Sequence, residues 1–188
     1  MNFRTLTLAA MLSVASLSGT AAFAQDNPEV GGAAMFADKN IIENAVNSAD
    51  HTTLVAAVQA AGLVETLSGE GPFTVLAPVN AAFEALPEGT VETLLKPENK
   101  EMLSTILACH VIPAKALSTD IVGMVEADGG EHMVDTVGGC KLTLKAADGK
   151  VTVTDENGTV ANVTIADVIQ SNGVIHVIDA VLTPKSAM

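Results

Sequence analysis

An α+β fold is expected from this sequence, with helices gathered in the first half and strands in the second. Three observations predict it. Between Asn40 and His110, apolar residues recur at helical spacing. From His132 onward, runs rich in Val, Thr and Leu are bounded by glycines. Within that second half, Asp148-Gly149 and Asn157-Gly158 are two-residue hairpin signals. Helices and strands segregated in this way mark an α+β fold, because a parallel α/β sheet needs them to alternate. With 188 residues, 48% of them apolar, one domain can bury a core without a disulfide lattice or a structural metal.

Taken in order, Ile41, Ile42, Ala45 and Val46 make the first helical turns. Asp50 is placed to cap the next helix, whose stripe of Leu54, Val55, Val58 and Ala61 ends at Gly62. Phe73 to Ala77 reads as a short buried strand closed by Pro78. Asn80 is expected to cap a short helix carrying Ala82, Phe83 and Leu86. A turn or two of helix covers Thr90 to Leu95, and a longer one runs from Glu98 to His110. The strands expected after it are His132–Val137, Lys141–Ala146, Val151–Asp155, Val160–Ile165 and Gly173–Leu182.

The first two dozen residues have the form of an export signal. Arg4 supplies a positive start, Leu6 to Leu17 an apolar run, and Ala22-Phe23-Ala24 a small-x-small cleavage site. The run is short for a membrane span of about 20 residues, so residues 1–24 read as a signal peptide and not an anchor. Residues 25–37 then form a loose leader, 38–184 the folded domain and 185–188 a tail. The expected product is exported, to the periplasm or beyond the cell, and monomeric. It could associate peripherally with a membrane but would retain no span.

A formal charge of −13, from 9 Lys plus Arg against 22 Asp plus Glu, excludes a nucleic-acid partner, which needs clustered cations. Past the signal only Phe36, Phe73 and Phe83 are aromatic, too few for a carbohydrate groove or a base-stacking platform. Export also bears on Cys109 and Cys140. A bridge closing their 31-residue loop would be worth about 3–4 kcal/mol, and two separate buried thiols are the alternative. The spacing leaves both open. Gly138-Gly139 would give the backbone freedom to bring Cys140 to the end of the long helix.

Three stretches together resemble the fasciclin domain, a secreted adhesion module. The first is Thr74-Val75-Leu76-Ala77-Pro78-Val79-Asn80-Ala81-Ala82-Phe83, with Val79 where Thr or Ser is usual. The second is Cys109-His110-Val111-Ile112, with Cys in place of the family's Tyr. The third runs from Asn172-Gly173 through His176 and Asp179 to Pro184. Ala77, Pro78, Asn80, Phe83, His110, Asn172, Gly173, His176 and Asp179 are thus the structural motif residues. Read on their own, His110 and His176 sit among apolar neighbours and are expected to be buried and hydrogen-bonded. In animal matrix members, the resemblance implies, an Asp-Ile pair and the Tyr-His region serve adhesion. The matching positions are Asp167-Val168 and Cys109-His110. For Asp167 the plainer reading is an exposed acid on a strand edge.

Catalysis and metal binding find little in the sequence. A Cys109 nucleophile with a histidine and Asp179 would need an electropositive setting, and the surroundings are acidic or apolar. His51, His110, His132 and His176 show no metal-ligand spacing. No catalytic residue, metal or cofactor is assigned. The expected function is non-catalytic attachment to a cell-surface or extracellular-matrix component. The alternative is a carrier of a small apolar ligand or lipid, held between the helical half and the sheet, and an enzyme ranks third. If the export reading holds, intact-mass analysis of protein recovered outside the cytoplasm will show a chain starting at or near Gln25 with no acyl group. A retained Met1 would overturn it.

Overall fold

A computed structural model describes residues 27–185, so the expected signal peptide (1–24), the first two residues of the expected leader and the last three residues of the expected tail lie outside the described part. The described residues open on a ribbon of β1 (Glu29–Val30) and β2 (Ala33–Ala34). Helices α1 (Ile41–Ala45), α2 (Thr52–Ala61) and α3 (Val64–Ser68) follow. Next come β3 (Phe73–Pro78), α4 (Asn80–Glu84), α5 (Thr90–Leu94), α6 (Lys100–Ala108) and β4 (Val111–Ile112). The second half holds α7 (Ser118–Ala127), β5 (His132–Asp135), β6 (Lys141–Ala147), β7 (Lys150–Thr154), β8 (Val160–Gln170) and β9 (Gly173–Ile178). The α+β expectation is met.

The main sheet has seven strands in the order β4-β3-β9-β8-β7-β6-β5. All its pairs are antiparallel except β3 with β9, which run parallel from Phe73↔Gly173 to Pro78↔Ile178. Strand side chains alternate between faces, so β3 and β9 each feed two cores. Val75, Ala77, Ile175 and Val177 join the core built under α1 to α6, with Leu54, Phe83 and Leu107. Leu76 and Ile178 join a second core with Ile121 and Val125 of α7 and Leu142, Leu144 and Val153 of the hairpin strands.

The two ends of this strand order meet. The Val137 N–H, just past β5, donates to the Val111 carbonyl of β4 at 2.8 Å, and the Gly138 N–H donates to Ala108 at 3.0 Å. A disulfide joins Cys109 to Cys140 at the same place, with the Cα atoms 5.4 Å apart, inside the span a bridge requires. Gly138 makes the approach feasible. A Cβ there would stand 2.8 Å from both the Cys109 nitrogen and the Thr105 oxygen.

The structure corrects several of these expectations. Asn80 does not cap α4, whose N-cap is the extended Val79. Its Oδ1 instead accepts from the Thr53 N–H (3.0 Å) and the Thr52 hydroxyl (3.2 Å), and its amide donates to the Ala49 carbonyl. Asn80 thus caps α2, the role expected of Asp50. Asp50 falls inside a 3₁₀ turn, Ala49–His51, which leaves its exposed carboxylate off the helix axis. Residues 27–37 are docked, not loose. Gly31 and Gly32, both at positive φ, turn the ribbon, and Val30 and Met35 enter the first core. His110 lies beyond the end of α6, whose C-cap is Cys109. Last, α7 was not anticipated, since Gly123 and four β-branched residues weaken its helical signal. Among the described residues no helix is long and apolar enough to cross a membrane.

Two measurements test the closure. Thiol titration of the denatured, unreduced protein should find no free thiol, and reduction should lower the melting temperature by about 10 °C, from about 3–4 kcal/mol of loop entropy. Gly138→Ala should destabilise the oxidised protein as well, because the new methyl pushes the two sheet ends apart. Two titratable thiols would refute the bridge, and a Gly138→Ala variant melting like the parent would refute the tight approach.

Candidate functional site

β9 is buried on both faces, so the polar atom its sequence places there must find partners inside the protein. His176 does so with both ring nitrogens. Nδ1 accepts from the Asp167 N–H at 3.2 Å, which makes Nε2 the protonated nitrogen, and Nε2 donates to the Ala116 carbonyl at 2.8 Å. Asp167 lies in a break in the β8–β9 register and adopts φ 59°. That turns its carboxylate onto the first residue of α7. It accepts the Ser118 N–H at 2.6 Å and the Ser118 hydroxyl, and a carboxylate there suits the positive end of a helix.

His110 is pinned in the same manner. Its Nε2 accepts from the Leu182 N–H at 2.9 Å, so Nδ1 carries the proton and donates to the Ile106 carbonyl at 2.8 Å. Burial pushes its pKa down to about 4, against the opposing pull of the Ile106 carbonyl and then of Asp155. His176 and His51 are also lowered, again chiefly by burial. All three rings are therefore neutral at pH 7.

The remaining motif residues are also ties. The Asn172 Oδ1 accepts the Ile41 N–H at the start of α1, and its amide donates to the Leu67 and Gly69 carbonyls at the end of α3. Gly173 leaves room for Phe73, since a Cβ there would sit 2.1 Å from the Phe73 oxygen. Asp179 accepts from both the backbone and the side-chain amide of Asn162. Ala77 and Pro78 are buried in β3, and Phe83 fills the first core.

Of the four residues expected to serve adhesion, Cys109, His110 and Val168 are enclosed, at 1%, 2% and 0% exposure. Asp167 is half-buried, with its carboxylate engaged. It is not a free strand-edge acid. Sequence reading missed Ser118, and it missed Thr74, whose hydroxyl donates to Ala114 and accepts the Ala116 N–H. It also read Asp155 only as the last residue of a strand leading into the Asn157-Gly158 hairpin. Asp155 is buried, and its carboxylate accepts the N–H groups of Asn157, Thr159 and Thr183. The Asx pattern Asp155-x-Asn157-Gly158 could have flagged that role.

Ser118, Asp167 and His176 bring the residue types of a nucleophilic triad together, but in the wrong connectivity. The serine hydroxyl is bound to the aspartate, and the histidine donates to a backbone carbonyl, so no base faces the hydroxyl. Cys109 is consumed in the disulfide. Among the described residues no group of three His, Cys, Asp or Glu side chains could hold a metal ion.

The arrangement defines a scaffold whose motif residues hold buried strands and helix ends in place. The chain belongs to the fasciclin domain family, whose model matches residues 49–184. It is 52% identical over 144 residues to protein sll1483 of Synechocystis, covering 77% of this chain and 73% of that one. It is 40% identical over 133 residues to transforming growth factor-beta-induced protein ig-h3 of the pig, covering 71% of this chain but 17% of that far longer protein. Among solved structures, a FAS1 domain pair from the insect cell adhesion molecule fasciclin I superposes with a TM-score of 0.70 at 16% identity. That match covers 79% of this chain and 52% of the pair, and it shows the shared fold.

The buried histidines make stability fall in acid. Below about pH 6.5 the unfolded chain protonates these rings while folded His110 stays neutral down to about pH 4. Their contribution is therefore complete above pH 6.5 and is lost as the pH falls, by up to about 1.4 kcal/mol per pH unit for each ring. Urea midpoints should be lower at pH 5 than at pH 7.5, and His110→Gln, though less stable, should show a smaller difference. Equal differences in parent and variant would show that His110 does not titrate in this way.

Proposed function

We propose that this protein is an exported, non-catalytic binding module that attaches its cell to a surface or to an extracellular-matrix component. The observation that carries the reading is the fasciclin domain match over residues 49–184. The cell adhesion molecule among the solved structures of this fold supports it. The inert connectivity of Ser118, Asp167 and His176 supports the non-catalytic part, as does the absence of a free cysteine among the described residues. A strongly acidic surface suits a basic partner surface, or one reached through divalent cations. Of the four residues Asp167 alone has an accessible flank, and Val168, Cys109 and His110, being enclosed, act through the fold and not by direct contact.

Cells lacking the protein should attach less to solid or matrix-coated surfaces than their parent, and purified full-length protein added back should restore attachment. Unchanged attachment would overturn the reading.

A further inference from the structure

Between α1, α2 and the face of β3 lies an apolar slot that opens to solvent past Ile42, Val55 and Gln59. The cavity it encloses is small, about 40 Å³. It is narrow, and its walls are almost wholly apolar, with Val58, Leu67 and Leu107 among them. Behind it lies a second small chamber, roofed by Val30 and Met35 of the docked ribbon. The two share Ile41, Ala45, Leu54 and Val75 as a common wall.

The inner chamber has one polar feature that the fold does not explain. His51 is 3% exposed and its Nδ1 is bonded to the Ser48 hydroxyl at 2.9 Å, but its Nε2 is buried with no hydrogen-bond partner. The Ala77 carbonyl, also on the chamber wall, is near enough to favour the protonated ring but outside hydrogen-bonding geometry. His110 and His176, by contrast, have both nitrogens satisfied. A buried, unpaired ring nitrogen on a residue that lines an apolar chamber is the feature a ligand atom would complete.

The geometry points to a binding site for a single-chain apolar molecule. Its hydrocarbon lies in the slot between α1 and α2, and a neutral oxygen at its end pairs with Nε2 of His51. Narrowness selects one chain over a bulky ring system. No Lys or Arg is among the residues lining either chamber, so a carboxylate would be buried without a counter-charge, and the oxygen is that of an alcohol or a carbonyl. Ala45, the smallest residue of the common wall, is where the chain passes from slot to chamber.

The test titrates isotope-labelled full-length protein with 1-octanol and follows it by NMR. Saturable binding is expected, with intermolecular NOEs from the octanol chain to the Leu54 and Val58 methyls and a shift of the His51 Nε2 resonance. Octanoate should bind weaker by about tenfold or more, for want of a counter-charge. Ala45→Leu should weaken octanol by about tenfold by filling the passage, and if that variant does not fold, the NOEs in the parent protein decide alone. NOEs confined to the open groove beside α5, at Leu94 and Met102, would overturn the site, as would the absence of saturable binding. An unmoved Nε2 resonance, or octanoate binding as tightly as octanol, would overturn the assignment of a neutral oxygen to His51.

Discussion

The parallel pairing of β3 with β9 is the constraint on which the rest of this fold depends. Both strands are almost wholly buried, and each sends alternate side chains into a different core. A strand buried on both faces gains apolar contact on each side but has nowhere to expose a polar atom. Every polar side chain on the pair is accordingly bound within the protein. Thr74 bonds to the segment before α7, and His176 to that segment and to Asp167. At the strand's entrance Asn172 gathers α1 and α3, and beyond its exit the Leu182 N–H reaches His110. The short motifs are the places where the chain must cross or flank this pair, and their chemistry is that of satisfying it.

Much of this was legible in the sequence because it is local. The hairpins at Asp148-Gly149 and Asn157-Gly158, the stop at Gly62 and the buried character of β3 and β9 are written in neighbouring residues. What could not be read was non-local. Asn80 has the chemistry of a cap, and the sequence assigned it to the nearest helix, whereas the helix it caps begins 28 residues earlier. Asp167 looked like a free acid because its partner, Ser118, lies 49 residues away at the head of a helix whose own signal is weak. The docking of Val30 and Met35 depends on a core that later segments, from α1 through to β9, assemble.

The family's adhesion motifs take on a different character here. The sulfur of Cys109, at the end of α6 and just before β4, goes to Cys140 in the turn between β5 and β6, beside the two ends of the sheet order. The hydrogen bonds from Val137 and Gly138 make the same junction. His110 beside it ties the last described residues of the domain to α6. These positions shape a surface by fixing what lies beneath it. Loss of binding on mutating them would then report a deformed surface as readily as a lost contact, and folding has to be measured alongside.

The partner that fixes the position of β3 lies about a hundred residues further along the chain. Until β9 arrives, β3 has one neighbour, the two-residue β4, and neither core has its central wall. Assembly therefore waits on the last strand. Closing so long a loop costs entropy before any contact is returned, which places this chain among slow-folding, non-local topologies. In the interval the apolar faces of β3 and of the helices around it stand open. A chain that reaches its destination unfolded must cross that interval there, where an early encounter with another apolar surface competes directly with its own final strand.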